Sequence, residues 1–328
     1  MPPTALVTGS TGCVGANVVA ALLARGYAVR ALHRATSTLG ALDGLDPELA
    51  IGDILDPPSL AAAMRGCALV FHVAAVSDYW RTPPERIYRV NVEGTRNVLV
   101  AAQEARVERL IFTSSAGALG LPRPGCLLDE SAIFNLPPRR FVYGHSKHLA
   151  ELAVQEAIAR GLDAVIVNPT GVMGARDVHW ISGSLLRAVR RGLAWFAPSG
   201  GLNWADAETV GLGHVLAAER GRTGERYILG GENVSHRAAL EIVAVVVGGR
   251  RPLATLPRPL MGLVALLTDG VNAVKPGSPL FSGEQARLSA VNIYCDCRKA
   301  QRELELPFTP FRVAVERAYA WYRTHGDL

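Results

Sequence analysis

The chain has 328 residues, of which 49% are hydrophobic and 19% charged, and its formal net charge is +5. This length suits one large α/β domain, or a core domain with a smaller second lobe, and the composition allows a sizeable buried core. The basic residues are scattered and do not alternate with aromatic residues, which argues against a nucleic-acid-binding surface. A modest positive charge also suits an anionic substrate or cofactor.

The cysteines indicate neither a disulfide framework nor a metal site. There are five of them, and this odd number favours a protein of the reducing cytoplasm. Cys295 and Cys297 form the closest pair, but two thiolates without further ligands rarely hold zinc. We therefore predict no metal.

The chain shows no pattern of a secreted or membrane-spanning protein. Residues 1–10 lack the charged segment and apolar run of a signal peptide. The longest apolar stretch, residues 259–274, is interrupted by Asp269 and is too short to span a bilayer. It is typical of an amphipathic or buried helix, with a membrane-surface role as the lesser alternative.

The first half of the chain alternates aliphatic runs with segments of helical periodicity. The predicted strands are residues 4–9, 27–34, 49–53, 68–75, 109–115 and 163–169, and the predicted helices are 15–26, 57–66, 90–105 and 145–161. Apolar strands that alternate with helices predict a parallel sheet covered on both faces, with right-handed crossovers. This is the doubly wound, Rossmann-type α/β plan of nucleotide-binding domains.

The alternation weakens after about residue 170, although a further short strand is predicted at 225–230. We therefore predict a dinucleotide-binding domain over residues 1–170. Residues 171–328 are then mainly a smaller C-terminal substrate-binding lobe, with some segments packing back on the sheet.

A glycine-rich turn, "VTGSTGCVG", joins the first predicted strand to the first helix. Gly9 permits the tight turn, Gly12 lets the backbone approach a pyrophosphate, and Gly15 lets the helix pack against the strand. The diphosphate would lie at the helix N-terminus, where free N–H groups and the helix dipole favour an anion. The alternative is a tight βα turn without a ligand.

The ends of the second and third strands bear on the choice of dinucleotide. An NAD site usually has an acidic residue at the end of the second strand, whereas "ALHRATS" has Arg34 there and no acid. Because arginine can pair bidentately with a 2′-phosphate, NADP(H) is favoured over NAD(H), unless Arg34 simply points to solvent. Asp53 can accept from an adenine amino group, or can be the N-cap of the following helix.

Three polar residues are expected over the same crevice. Tyr143 and Lys147 of "YGHSK" share one face of a helix, and Ser115 ends the fifth strand. A neighbouring lysine cation and an oxidised nicotinamide would stabilise a tyrosinate, so that Tyr143 could exchange a proton near neutral pH. Ser115 would hold the substrate oxygen, and Lys147 would also reach the nicotinamide ribose.

Together these segments resemble the extended short-chain dehydrogenase/reductase superfamily, also called the NAD-dependent epimerase/dehydratase superfamily. The resemblance covers about residues 4–175 and rests on "TGSTGCVG", "GDILD", "HVAA", "NVEGT", "FTSSAG", "YGHSK" and "NPTGVMG". The later "ERYILGGEN" resembles the dihydroflavonol-4-reductase-like branch and the sugar epimerases associated with hopanoid gene clusters. Within that branch an arginine at position 34 goes with NADP.

The resemblance implies a Ser-Tyr-Lys catalytic triad made of Ser115, Tyr143 and Lys147, and a homodimer formed through a four-helix contact. It assigns cofactor contacts to Gly9, Thr11, Gly12, Cys13, Val14, Gly15, Arg34, Asp53, Ile54, Ala74, Ala75, Tyr143, Lys147, Pro169 and Val172. Cys13 stands where an aromatic residue is common in the family, and we expect this departure to change packing more than chemistry.

The substrate should lie between the nicotinamide and the second lobe. The candidate lining residues are Ser77, Asp78, Tyr79, Trp80, Trp180, Trp195 and Trp204. An aromatic lining favours a flat or apolar carbonyl compound, although each tryptophan could equally belong to the core.

These features predict an NADP-dependent oxidoreductase that reduces a ketone or aldehyde, or oxidises the alcohol. A sugar-nucleotide epimerase or dehydratase that keeps NAD bound is the first alternative, and the absence of an acid near Arg34 argues against it. A non-catalytic dinucleotide sensor is the second, and the intact triad argues against it. The expected partner is a small carbonyl or alcohol compound, without nucleic acid, membrane span or metal.

Overall fold

The computed structural model describes residues 3–274 and 282–325, and the helices and strands given below are those of that part of the chain. The strands are β1 (Thr4–Thr8), β2 (Ala28–His33), β3 (Glu48–Ile51), β4 (Leu69–His72), β5 (Arg109–Thr113), β6 (Ala164–Pro169), β7 (Gly171–Met173), β8 (Phe196–Ala197), β9 (Gly201–Asp206), β10 (Arg226–Leu229), β11 (Glu232–Ser235), β12 (Ala254–Thr255) and β13 (Asn292–Ile293).

The α-helices are α1 (Cys13–Ala24), α2 (Pro57–Met64), α3 (Pro84–Tyr88), α4 (Gly94–Glu104), α5 (Val142–Ala159), α6 (Gly183–Arg190), α7 (Ala207–Arg220), α8 (His236–Val247), α9 (Arg258–Val274), α10 (Gly283–Ser289), α11 (Arg298–Glu303) and α12 (Phe311–Thr324). A π-helical turn, Arg89–Glu93, precedes α4. In the described chain, no helix is long and apolar enough to cross a membrane.

Strands in the order β3-β2-β1-β4-β5-β6-β10 form one parallel sheet. Successive residues of β1 point to opposite faces: Ala5 and Val7 join the core that α1 and α7 cover, and Leu6 joins the core under α2, α4 and α5. Both faces are buried because helices cover both sides, which explains the continuous apolar strand sequences. The predicted doubly wound α/β class is confirmed.

The second group of elements surrounds a small sheet in which β9 pairs with β7, β11 and β13. Helices α6, α8 and α12 contribute to its hydrophobic core. Strand β10 and helix α7 follow residue 170 in sequence, yet they pack on the large sheet. The division of the chain at residue 170 stays a prediction.

Several element ends differ from the predicted ones. The fourth strand was expected to reach residue 75, but β4 ends at His72, because the next two backbone N–H groups donate to the Thr8 hydroxyl instead of continuing the ladder. Helix α5 begins at Val142 rather than at residue 145, so Tyr143 lies within its first turn.

Candidate active site

The residues assigned to the cofactor lie at one edge of the sheet. Gly9 follows β1, Arg34 follows β2, Asp53 comes two residues after β3, and Ala74 two residues after β4. The first residue of the triad, Ser115, comes two residues after β5. Because these strands are parallel, their carboxyl ends meet at the same edge, which is where this fold binds ligands. Pro169 ends β6 at this edge and Val172 lies in β7.

The glycine turn has the geometry that its three glycines suggest. Gly9 has a positive φ of 67°, and a Cβ there would lie 2.6 Å from Ala74 N. A Cβ on Gly15 would lie 2.1 Å from Gly9 O, so the helix can approach the strand only without one. Gly12 differs: the nearest atom to its Cβ position is Gly9 O at 3.5 Å. The space beside Gly12, from which a ligand would approach, is therefore open.

A dinucleotide pyrophosphate fits this open turn. Gly12 is the N-cap of α1 and has no side chain to occupy the free N–H groups, and the first turn of the helix carries no acidic residue. An anion would therefore meet both free donors and the positive end of the helix dipole. Ser10 ties the turn to β2 by donating to Leu32 O at 2.9 Å.

The neighbouring side chains of the turn are partly buried. Thr11 lies within it, and Val14 packs against the core. The Cys13 thiol donates to Ala175 O at 3.5 Å, and burial together with Asp177 and Asp206 raises its pKa. A protonated, partly buried thiol fits the expectation that Cys13 affects packing more than chemistry.

Arg34 and Asp53 stand at the adenosine end of the predicted site. Arg34 is exposed, immediately after β2. Asp53 accepts from Leu55 N through Oδ1 at 2.9 Å, and Asp56 rather than Asp53 is the N-cap residue of α2. Ile54 is buried against Gly94, where a Cβ would lie 2.6 Å from its Cδ1. Their contacts with a cofactor stay predictions.

The loop after β4 is held by a buried polar group. The Thr8 hydroxyl accepts from Val73 N and Ala74 N, both at 3.1 Å, and lies 2.9 Å from His72 Nδ1. The other ring nitrogen of His72 lies 3.0 Å from the Thr95 hydroxyl. Burial, followed by the Lys147 cation, lowers the pKa of His72 to about 3, so this imidazole is neutral. Ala75, next in the loop, is exposed.

Ser115 and Tyr143 meet at the start of α5. The Ser115 hydroxyl accepts from Gly117 N at 3.1 Å. Burial raises the pKa of Tyr143, and the nearby Ser115 side chain acts in the opposite direction. The lowering of this pKa by a bound nicotinamide stays a prediction.

Lys147 lies one helical turn beyond Tyr143 and is 1% exposed. Its Nζ is 4.4 Å from the centroid of the Phe112 ring. Burial lowers the pKa of Lys147 to about 7, and the nearby Glu151 carboxylate partly opposes this. Desolvation thus favours the neutral form of Lys147, whereas one buried anion favours the charged form.

A buried network beneath Lys147 was missed from the sequence. Asn168 Nδ2 donates to Glu151 Oε1 at 2.7 Å and to Ser115 O at 3.0 Å, and Arg226 lies 3.7 Å from the other carboxylate oxygen. Glu151 and Asn168 had usable signals: one lies four residues after Lys147 on a helix, and the other belongs to "NPTGVMG". Arg226 belongs to "ERYILGGEN", but nothing in that segment indicated a contact with Glu151.

Aromatic rings from the loop after β4 cover Tyr143. Tyr79 stacks on Tyr143 with centroids 5.6 Å apart and planes 17° from parallel, and Trp80 meets Tyr79 edge-on at 5.3 Å. The buried Trp80 Nε1 has no hydrogen-bond partner in the described chain. Ser77 is exposed, while Asp78 accepts from the Thr82 hydroxyl at 3.2 Å. Four of the predicted lining residues thus share one loop.

The three tryptophans of the second lobe are placed differently. Trp180 stacks on Tyr322 at 4.0 Å, and Trp204 packs on Phe311 at 5.0 Å, both within the core of that lobe. Trp195 is 57% exposed. None of the three has a described ring contact with Tyr143. Core packing, the alternative for each tryptophan, therefore accounts for the contacts of Trp180 and Trp204.

Glu284 is a further acidic residue on the substrate side that the sequence did not single out. It lies near Tyr79, whose pKa is raised by burial first and by the Glu284 charge second. Burial raises the pKa of Glu284 itself to about 7, and its buried Oε1 has no hydrogen-bond partner among the described residues.

Elsewhere in residues 3–274 and 282–325, no three His, Cys, Asp or Glu side chains are grouped as a metal site. Cys295 and Cys297 are buried, and burial raises the pKa of both thiols.

A doubly wound sheet with an open glycine turn at its carboxyl edge defines a nucleotide-binding α/β protein. The model of the NAD dependent epimerase/dehydratase family matches residues 5–230. The chain belongs to this family, the extended short-chain dehydrogenases/reductases, and is an NAD(P)-dependent oxidoreductase.

Relatives that cover nearly the whole chain include proteins named as reductases. The chain is 39% identical to a putative dihydroflavonol 4-reductase of Synechocystis sp., over 98% of this chain and 94% of that protein. It is 37% identical to cinnamoyl-CoA reductase 1 of Oryza sativa subsp. japonica, over 98% and 91%. Among solved structures, that of gox2253 has a TM-score of 0.87, 36% identity and full coverage of both chains.

Proposed function

We propose that this chain is an NADP-dependent reductase of ketones or aldehydes, acting in the reverse direction as an alcohol dehydrogenase. The observation that carries the proposal is the pairing of the Ser115 and Tyr143 side chains one helical turn from the buried Lys147. The reductase names of two full-length relatives support the same reaction class.

In the proposed reaction each side chain has a separate task. When bound, the reduced nicotinamide supplies a hydride to the carbonyl carbon. Ser115 donates a hydrogen bond to the carbonyl oxygen and positions it. Tyr143 transfers its phenolic proton to that oxygen as the alcohol forms. Lys147, in its charged form, stabilises the tyrosinate that is left.

The preference for NADP rests on the end of β2. Arg34 is exposed there and can pair with a 2′-phosphate, and residues 34–42 after β2 include no acid to hold a ribose 2′-hydroxyl. The rings of Tyr79 and Trp80 beside Tyr143 favour a flat or apolar carbonyl substrate. A cytoplasmic location and a homodimer remain predictions.

A sugar-nucleotide epimerase or dehydratase is the second candidate, and the family to which the chain belongs favours it. Such an enzyme would keep NAD bound and regenerate it in each turnover. A non-catalytic dinucleotide sensor is the least favoured candidate. Such a protein would not need Ser115, Tyr143 and Lys147, and the chain has all three.

Fluorescence titration with NADPH and NADH, after testing the denatured protein for released nucleotide, separates the first two candidates. We expect NADPH to bind more tightly and to exchange freely. Arg34→Ala should weaken NADPH binding by about 10- to 100-fold, the worth of one charge-assisted contact, and leave NADH binding unchanged. The control is Arg160→Ala, an exposed arginine at the far end of α5. Tightly held NAD that does not exchange would instead support the epimerase.

The triad is tested by Tyr143→Phe, which removes only the phenolic hydroxyl. We expect kcat for reduction of the best substrate in a carbonyl panel to fall by at least about 100-fold, with little change in NADPH affinity. Tyr88→Phe is the matched control, because the Tyr88 hydroxyl bonds His145 at 2.9 Å rather than Ser115. Activity that survives Tyr143→Phe would show that another group supplies the proton.

A further inference from the structure

One face of helix α9 exposes large apolar side chains to solvent. Its exposed residues recur at helical spacing over about three turns, while Met261 and Ala265 on the opposite side are buried against α10. The exposed side chains of this face are Leu260, Leu263, Leu266, Leu267 and Val271, each 46–66% exposed.

More exposed apolar residues lie beside the start of α9. Trp195 and Phe196 are about half exposed and Leu253 is 71% exposed. Leu253 N donates to Trp195 O at 2.8 Å, which begins the pairing of β12 with β8. Helix α9 follows β12 closely in the chain, and Leu256 between them packs against the buried side of that helix. These three exposed residues and the exposed face of α9 together form the α9 surface.

Arginines flank the α9 surface without acidic partners. Arg190 and Arg191 precede Trp195, Arg250 and Arg251 precede Leu253, and Arg258 begins α9; all five are exposed. The stretches 178–205 and 242–268 contain no Asp or Glu. In the described chain none of these arginines forms an ion pair.

We propose that the α9 surface binds the face of an anionic lipid bilayer. Leucines and an aromatic pair would enter the boundary between headgroups and acyl chains, and the arginines would contact lipid phosphates. An exposed apolar patch of this extent marks an interaction surface rather than ordinary solvent-facing surface.

The charges favour lipid over a second copy of the chain. In a symmetric dimer the same patch meets itself, so both copies would bring the arginines at its border into one interface. No carboxylate in the two flanking stretches could neutralise them. An anionic membrane supplies the missing negative charge, and the apolar face needs an apolar partner.

The position of the α9 surface links it to the substrate side. Asp269 of α9 pairs with Arg287 of α10 at 2.6 Å, and Glu284 of α10 lies near Tyr79, which stacks on Tyr143. A membrane contact would therefore bring the aromatic lining close to compounds dissolved in lipid. This consequence rests on the proposed function, whereas the membrane contact itself does not.

Flotation of the full-length protein with vesicles tests the proposal. We expect binding to vesicles of phosphatidylcholine with phosphatidylglycerol, weaker binding to pure phosphatidylcholine, and release by high salt. The double variant Leu263→Glu, Leu267→Glu should abolish binding. Arg250→Glu with Arg251→Glu should weaken it at least about fivefold. The control, Leu127→Glu with Ile133→Glu, changes two exposed apolar residues outside the α9 surface and should bind normally.

Thermal unfolding and NADPH binding should be the same for all variants, since every changed side chain is exposed. No binding to anionic vesicles, or equal binding by wild type and both test variants, would overturn the proposal. Sedimentation that shows a wild-type dimer which Leu263→Glu, Leu267→Glu converts to a monomer would also overturn it, because a second copy would then cover the α9 surface.

Discussion

Among single residues, Lys147 has an ionisation that depends on its burial and on one buried anion. Its ammonium group is almost fully enclosed, which favours the neutral form and brings the pKa down to about 7. Glu151, itself 2% exposed, is the anion that opposes this effect. Asn168 holds the Glu151 carboxylate and also the Ser115 carbonyl, so this pair supports two residues of the proposed triad.

Glu151→Gln keeps the acceptor for Asn168 but removes the negative charge. Burial would then act on Lys147 with less opposition, so its pKa should fall below about 7. Because the charged lysine is the form proposed to assist Tyr143, the alkaline decline of kcat/KM should move to lower pH. Glu156→Gln, on an exposed position of the same helix, should leave the pH profile unchanged. An unshifted profile in Glu151→Gln would remove this role from Glu151.

At the scale of an element, the β1–α1 turn contains two glycines that its backbone contacts require and one that they do not. Gly9 and Gly15 are required by close backbone contacts, since a Cβ at either position would meet an atom within 2.6 Å. Gly12 has an ordinary φ of −94° and open space beside it. The turn itself therefore does not require glycine at this position, and we predict that the bound cofactor does.

Gly12→Ala should leave the fold nearly intact and impair the cofactor site. We expect the free energy of unfolding to change by about 1 kcal/mol, a typical effect of a substitution at an N-cap. Dinucleotide affinity should fall by about tenfold or more, because the methyl group would occupy the space of the pyrophosphate. Chemical denaturation and NADPH titration measure the two effects.

Gly15→Ala provides the contrast, with a large loss of stability from the 2.1 Å contact to Gly9 O. Unchanged NADPH affinity in Gly12→Ala would show that the pyrophosphate binds elsewhere.

At the scale of the whole molecule, buried neutral histidines make stability depend on pH. His214 of α7 is fully buried, donates to Val210 O at 2.7 Å, and accepts from the Thr113 hydroxyl of β5 at 2.8 Å. Burial lowers its pKa from 6.5 to about 4. Between these values the unfolded chain binds a proton that the folded protein does not, so stability decreases as the pH falls from 6.5 toward 4.

His214→Gln should reduce this dependence. The slope of the unfolding free energy against pH should decrease by up to about 1.4 kcal/mol per unit in this range, the contribution of one proton. Urea denaturation at a series of pH values measures the slope. His179→Gln changes a histidine outside the buried core and should not alter it. If His214→Gln leaves the slope unchanged, His214 is not the group responsible.

Local patterns explain which parts of the site could be predicted. Gly9, Gly12 and Gly15 lie in or beside the β1–α1 turn, and Tyr143 and Lys147 lie one helical turn apart. Local backbone geometry sets the distances within each group. The end of β4 was predicted three residues too late because its apolar run continues, while the Thr8 hydroxyl captures the following N–H groups. That capture involves residues far apart in sequence.

The sequence by itself determined the parallel sheet, the glycine turn and the positions of Ser115, Tyr143 and Lys147, because hydrophobic periodicity and short spacings are properties of contiguous residues. Only the tertiary structure decided that Arg226 on β10 lies near Glu151, that the charge of Glu284 raises the pKa of Tyr79, and that the leucines of α9 remain exposed. These features arise when distant segments pack together, and the desolvation that tunes Lys147 and His214 exists only once that packing has excluded water.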